Sequence, residues 1–128
     1  MRVFITGSSG FVGFHLAKSL LEEGFEVYGY DGLTEYYDVQ LKLDRTNILK
    51  HYDDFETSQA MLEDKNSLKK SIEKFNPNII VHLAAQAGVR YSLENPGAYI
   101  ESNVIGTFNL LEVIRSCNSP TSVESVGW

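Results

Sequence analysis

Eight residues near the start of the chain, Thr6-Gly7-Ser8-Ser9-Gly10-Phe11-Val12-Gly13, set the terms for the fold around them. Arg2 to Thr6 is a short β-branched run that predicts a buried strand. Phe11 to Glu23 carries apolar residues at helical spacing: Val12, Leu16 and Leu20, with Ala17 and Leu21. Gly24 stands where a helix commonly stops. The glycines therefore fall in a strand-to-helix turn. Their spacing, G-x-x-G-x-x-G, is that of a dinucleotide fingerprint with one more residue between the first two. Gly7 lets the chain leave the strand tightly. Gly10 has no Cβ, so backbone can approach a pyrophosphate at the helix N-terminus. Gly13 lies about one turn on, where a small residue lets helix and sheet come close. The competing reading is a glycine-rich turn that binds nothing. The strand, helix and second strand around it favour the ligand.

Glu26 to Tyr30 predicts that second strand, so the opening is a right-handed βαβ unit with parallel strands. Asp31 to Asp38 is a polar loop bearing aromatics. Val39 to Lys50 predicts a helix, Phe55 to Leu62 a third strand, and Leu68 to Phe75 a helix ending before Asn76-Pro77. Ile79 to Ala84 is the clearest buried strand. A loop from Ala85 to Pro96 leads to a long helix, Ala98 to Cys117, carrying Ile100, Val104, Phe108, Leu111 and Val113-Ile114. The alternation implies an α/β fold: a Rossmann-like, doubly wound parallel sheet of about four strands in the order 3-2-1-4. That domain spans 1–117. Residues 118–128 are Ser-rich, carry Pro120 and lack apolar periodicity, and read as an unstructured or divergent tail. In this order Ile79–Ala84 becomes an open edge, which predicts marginal stability.

The 128 residues suit one domain with a real core. The formal net charge of -6 argues against nucleic acid or an anionic membrane as partner, because both reward clustered Lys and Arg. The single cysteine, Cys117, cannot form an internal disulfide and suits a reducing, cytoplasmic setting. Neither a secretory leader nor a membrane span is legible.

Asp31 ends the second strand eighteen residues after Gly13, where an acid takes the hydroxyls of an adenosine ribose. Gly32 and Leu33 follow rather than Arg or Lys, which favours NAD over NADP. His82, polar within an apolar run, reads as a strand-end histidine bonded to backbone. His15, His51 and Cys117 lack the spacing of a metal site. Tyr91-Ser92 reads as structural, since a phenol near its ordinary pKa of about 10 is protonated at neutral pH. Tyr36-Tyr37 is either loop packing or a cofactor lid. Asp53, Asp54 and Glu56 read as a solvated loop.

Three further segments carry a family resemblance. They are Asp31-Gly-Leu-Thr-Glu-Tyr-Tyr-Asp38, the run from His82 through Ala85, Ala87 and Arg90 to Pro96, and Glu101-Ser-Asn-Val-Ile-Gly-Thr-Phe-Asn-Leu-Leu-Glu112. With the glycine turn they resemble the NAD-dependent epimerase/dehydratase family, the extended short-chain dehydrogenases/reductases, in its UDP-glucuronate 4-epimerase subgroup. The likeness runs from Met1 to about Cys117. It implies that Gly7, Gly10, Phe11, Val12 and Gly13 hold the NAD pyrophosphate and Asp31 the adenosine ribose. Leu33, Thr34, Tyr36 and Leu62 would line the adenosine side. Leu83, Ala84, Ala85 and Ala87 would wall the nicotinamide side. Asn103 would face the cofactor from the long helix, and Arg90 would lie near a sugar nucleotide. It also implies a homodimer through the 98–117 helix.

Two departures from the family pattern matter. Many relatives place an Asp at the end of the third strand for the adenine amine, where this chain has Met61. Catalysis in the family needs Tyr-x-x-x-Lys. The residues four places after the seven tyrosines are Gly32, Thr34, Gln40, Leu41, Glu56, Asn95 and Asn103, none of them lysine. The expectation is an NAD(H)-binding N-terminal part of a UDP-sugar 4-epimerase, ending by truncation or frameshift, with no catalytic residue of its own. The alternative is a non-catalytic nucleotide-binding or interaction module that serves a partner chain.

Overall fold

The computed structural model describes residues 1–33, 38–86, 89–117 and 122–125, the last four and Val89 by backbone alone. Its strands are β1 (Arg2–Thr6), β2 (Glu26–Asp31), β3 (Phe55–Gln59), β4 (Ile79–His82) and β5 (Ser122–Ser125). They form one parallel sheet in the order β3-β2-β1-β4-β5. The helices are α1 (Phe11–Glu22), α2 (Val39–Leu49), α3 (Lys65–Phe75), α4 (Val89–Glu94), α5 (Pro96–Tyr99) and α6 (Gly106–Ser116), with a π-helical segment, Ile100–Ile105, between the last two.

Alternation along β1 builds the two layers. Val3 and Ile5 pack under Phe14, Ala17 and Leu21 of α1 and Leu49 of α2. Phe4 points the other way, to Leu68 and Ile72 of α3 and Leu110 and Val113 of α6. Its ring stacks on Tyr28 with centroids 5.2 Å apart. A strand buried on both faces is what parallel sheets require, because crossover helices cover each side.

The order 3-2-1-4 holds, and the structure extends it by a strand. The reading of 118–128 as a loose tail is corrected at Ser122–Ser125. That backbone pairs with β4 in parallel, Ile79 opposite Ser122 through His82 opposite Ser125. The β4 edge expected to lie open is therefore covered. Four residues are enough because pairing uses backbone groups, which a polar sequence supplies as well as an apolar one.

Other boundaries shift for local reasons. β3 stops at Gln59, three residues early, and Ala60 makes a last ladder bond to the Asp31 carbonyl (3.1 Å). α3 starts at Lys65 because the Asp64 side chain caps it, accepting from Ser67 N at 3.1 Å. The predicted 85–96 loop contains α4. The long helix is broken by a π turn in which Gly106 N reaches back five residues to the Glu101 carbonyl.

The apolar residues at helical spacing divide between a buried and an exposed face. On α1 the buried residues are Gly13, Phe14, Ala17 and Leu21, while Val12 is 55% exposed. On the long helix Leu110 and Val113 face the sheet, and Ile100, Val104, Phe108 and Leu111 face outward.

A chain ending at Cys117 loses the strand that covers β4. It is expected to melt at lower temperature and to scatter more light on heating than the 128-residue protein. Equal melting and scattering would show that β5 contributes no protection.

Candidate functional site

The glycine turn fills the junction of β1 and α1 at the point where β1 lies between β2 and β4. Gly7 is left-handed (φ 76°). Its N–H donates to the Tyr30 carbonyl at 2.8 Å, and its own carbonyl accepts from Gly10 N at 3.1 Å. A β-carbon at position 7 would stand 2.8 Å from Ala84 N, and one at position 13 would stand 2.0 Å from the Gly7 oxygen. Gly13 thus makes room for the turn's own carbonyl, rather than for the sheet as the sequence suggested.

Gly10 is different. Its backbone is extended (φ -72°, ψ 171°), and a β-carbon there would meet only the Gly7 oxygen, at 3.3 Å. That contact is tighter than a β-carbon usually makes, although the backbone angles at position 10 are ones that any residue adopts. Gly10 is also the N-cap of α1 and, lacking a side chain, leaves the helix start without a side-chain cap. The first intrahelical bond is Phe14 N to the Gly10 carbonyl at 2.9 Å. The amides of Phe11, Val12 and Gly13 precede it and carry the positive end of the helix dipole. Such an uncapped helix start accepts anionic oxygen.

Asp31 stands beside this turn at the end of β2. One carboxylate oxygen accepts from Ser9 N (3.0 Å) and the other from Leu33 N (2.8 Å). These bonds fix the carboxylate and leave each oxygen a further lone pair for a hydroxyl donor. Two cations arrive from α2 that sequence reasoning did not assign. Lys42 is 7% exposed and lines the same cleft as Gly7, Gly10 and Asp31. Arg45 donates to the Ser9 carbonyl at 3.1 Å, and its guanidinium stands 5.9 Å from the centre of the Phe11 ring. The available signal was their i, i+3 spacing on the helix after the Asp31 loop, which puts both on one face.

The far walls come from the ends of β3 and β4. Leu62, Leu83, Ala84 and Ala85 line the cleft as expected, together with Gln86 and Ser102. Leu33, in a left-handed conformation (φ 51°), borders an adjoining depression with Asp31 and Thr46. Thr34, Tyr36 and Ala87 lie outside the described residues. Asn103 does not line the cleft. Its amide clamps the Gln86 backbone, accepting from its N–H at 2.7 Å and donating to its carbonyl at 3.1 Å. It sits in the π turn, where a wider coil turns the side chain toward the β4 loop. Arg90 is exposed on α4 and is not part of the cleft lining.

His82 and Thr6 brace the β1–β4 junction. The Thr6 hydroxyl oxygen accepts from Leu83 N (3.0 Å) and Ala84 N (3.1 Å), so its proton goes to His82 Nδ1 at 2.7 Å. The ring is then the Nε2–H tautomer and donates to Thr107 Oγ1 at 3.0 Å. The expected backbone partners of His82 are thus threonine hydroxyls. Burial lowers the histidine pKa, in keeping with a neutral ring. This also explains why β4 ends at His82. Beyond it, Thr6 takes the amide hydrogens of Leu83 and Ala84 as the chain peels from β1 and opens the cleft. No group of metal-ligating side chains occurs among the described residues, and no helix there is long and apolar enough to cross a membrane.

The family model described as GDP-mannose 4,6 dehydratase matches residues 4–126. The chain belongs to this family. The resemblance to NAD-dependent epimerases and dehydratases is borne out by its relatives. A probable UDP-glucuronate 4-epimerase of Rhizobium meliloti is 53% identical over 116 residues, covering 91% of this chain and 34% of the relative. A UDP-glucuronic acid 4-epimerase from Bacillus cereus, solved with UDP-glucuronic acid and NAD, superposes with a TM-score of 0.85 at 27% identity, covering 95% of this chain and 38% of its own. A UDP-glucose 4-epimerase from Thermus thermophilus, solved with NAD, gives a TM-score of 0.75 at 35% identity over 90% of this chain and 34% of its own. The chain spans about a third of the length of these relatives.

Two measurements probe the His82–Thr6 brace. Thr6→Val leaves the Ala84 amide and the His82 Nδ1 without this partner, while Leu83 N keeps the Thr6 backbone carbonyl (3.1 Å), and is expected to cost about 1–3 kcal/mol in urea unfolding. Because the folded-state pKa of His82 is lowered, the unfolded chain binds the extra proton first. The stability contribution is whole above about pH 6.5 and is lost as pH falls from there toward the folded value. His82→Gln should flatten that slope; an unchanged slope would assign it to other groups.

Proposed function

We propose that this chain is the NAD(H)-binding N-terminal part of a UDP-glucuronate 4-epimerase-like protein, and that alone it binds the dinucleotide without epimerising a sugar. The observation that carries the reading is the start of α1, where Gly10 leaves the first amides without a side-chain cap beside the fixed Asp31 carboxylate. The cleft suits the cofactor. The α1 amides would hold the pyrophosphate, Asp31 and Lys42 the adenosine ribose, and Leu83, Ala84 and Ala85 the nicotinamide side. When bound, NAD supplies a hydride acceptor and donor at one carbon of a sugar. Asn103 would position the nicotinamide-side wall through Gln86 rather than touch the cofactor. Arg90, exposed on α4, would serve a sugar nucleotide.

The catalytic part of the reading rests on the tyrosines. A phenol needs a neighbouring cation to ionise at neutral pH, and no lysine follows any tyrosine by four. Tyr30, the tyrosine in the cleft wall, is pushed the other way, up to about 12, chiefly by burial. Its hydroxyl donates to the Met61 carbonyl at 2.8 Å.

Gly10→Asp separates binding from folding. Aspartate is a favoured N-cap and the backbone angles at position 10 admit it, so the fold should hold if the Gly7 carbonyl gives by a few tenths of an ångström, which an unchanged ligand-free melting temperature checks. Its charge should exclude a pyrophosphate. Millimolar NAD is expected to raise the melting temperature of the wild-type chain and leave that of Gly10→Asp unmoved. No shift for the wild type would overturn the cofactor reading. Turnover of UDP-glucuronate by the pure chain with NAD would overturn the claim of incompetence.

The outward face of the long helix supports a homodimer. Val104 is 63% exposed, Phe108 59% and Leu111 52%. These form one stripe at helical spacing, which a second copy of the helix would bury. Sedimentation should show a dimer that Phe108→Glu dissociates; a monomer at high micromolar concentration would refute it.

A further inference from the structure

The cleft wall that contains Leu83, Ala84 and Gln86 is braced from behind by the long helix. Asn103, in the π turn, clamps the Gln86 backbone, accepting from its N–H at 2.7 Å and donating to its carbonyl at 3.1 Å. Thr107, four residues on and in the first turn of α6, accepts from His82 Nε2 at 3.0 Å. Asn103 bonds to the wall itself. Thr107 does not line the cleft and reaches the wall through two other side chains, His82 and Thr6.

That connection is a run of hydrogen bonds with a fixed direction. The Thr6 hydroxyl oxygen has two lone pairs, and Leu83 N (3.0 Å) and Ala84 N (3.1 Å) take both. Its proton therefore goes to a bare His82 Nδ1 (2.7 Å), and the ring carries its hydrogen on Nε2. On a residue only 2% exposed that hydrogen needs an acceptor, and Thr107 supplies it. Without the Thr107 hydroxyl the direction reverses. Buried orphan donors are rarer in proteins than under-used acceptors, so the hydrogen moves to Nδ1 and donates to the Thr6 oxygen. Three donors then compete for two lone pairs. The Leu83 amide can keep the Thr6 backbone carbonyl (3.1 Å). The Ala84 amide is the one displaced, and Ala84 is cleft wall.

We infer that Thr107 is a positioning residue for the dinucleotide: through the tautomer of His82 and the hydroxyl of Thr6 it sets where the Ala84 backbone stands, and so how tightly the nicotinamide half is held. The inference rests on the cofactor reading above and adds a side chain that acts without touching the ligand. It concerns the nicotinamide half, because the glycine turn and Asp31 are fixed by bonds of their own.

Calorimetric titration of the chain with NAD, and with ADP, which ends at the diphosphate and does not reach this wall, tests it. Thr107→Val should bind NAD about two- to tenfold more weakly than the wild type, the range for one neutral hydrogen bond, and ADP equally well. Thr107→Ser, which keeps the hydroxyl, should restore NAD affinity. Nitrogen NMR of the histidine rings should find the His82 hydrogen on Nε2 in the wild type and Thr107→Ser, and on Nδ1 in Thr107→Val. In the wild type, NAD should shift the His82 ring nitrogens and ADP should leave them in place. Equal weakening of NAD and ADP in Thr107→Val, or no weakening of either, overturns the role of Thr107 and leaves the cofactor reading intact. A wild-type ring with its hydrogen on Nδ1, or one that bound NAD does not move, does the same whether or not Thr107→Val folds. Failure of the wild type to bind NAD overturns the cofactor reading and this inference together.

Discussion

The Gly7 carbonyl occupies the space where a side chain at position 13 would begin, and everything near the cleft depends on that contact. With Gly7 left-handed, its oxygen turns in under α1 and its amide reaches the Tyr30 carbonyl. The helix can then start almost on top of β1, with its first amides facing the crevice between β2 and β4. A side chain at position 7 would strike the Leu83–Ala84 backbone, and one at position 13 would strike the turn itself. Two glycines are thus consumed by geometry. The third, Gly10, has backbone angles open to any residue, and its lack of a side chain leaves the helix start uncapped.

Charge in the cleft is arranged locally, against the sign of the chain as a whole. The formal net charge is -6, yet Lys42 and Arg45 converge on the turn from α2 while Asp31 is tied to Ser9 and Leu33 amides. Overall charge governs solubility and long-range steering. Affinity for a diphosphate is set within a few ångströms, by amide hydrogens and by cations that the protein holds partly out of water. An acidic chain can therefore hold a site for an anion.

Most of the sheet was legible because parallel strands buried on both faces leave continuous apolar runs, as in Val3-Phe4-Ile5 and Ile79-Ile80-Val81. β5 was not legible. An edge strand is held by backbone bonds to one neighbour, so Ser122–Ser125 needs no apolar side chains to join β4. The buried face of a helix was not legible for a related reason. On α1, Leu16 and Leu20 are half-buried and compete with Phe14 for the inward face, and periodicity alone does not say which stripe the sheet takes. The π turn widens the coil of the long helix, and periodicity read across it does not say which of its apolar residues meet the sheet. Asp31 and the glycines were legible because local sequence spacing fixes their position. Lys42 and Arg45 were not, because each meets the cleft only after a helix from elsewhere has packed.

Binding and chemistry make different physical demands. A pyrophosphate site built from backbone amides at a helix start is local: one turn and the strands beneath it suffice. Ionising a phenol is not local. Burial alone moves a tyrosine away from reactivity, as Tyr30 shows, and only a cation held against the oxygen reverses the sign. Among the described residues, the cations beside the glycine turn, Lys42 and Arg45, come from α2. Charge that favours an anionic ligand at the turn does nothing for a phenol it does not touch. The proposed role of the cleft, holding a dinucleotide, therefore asks only for what the turn and α2 supply.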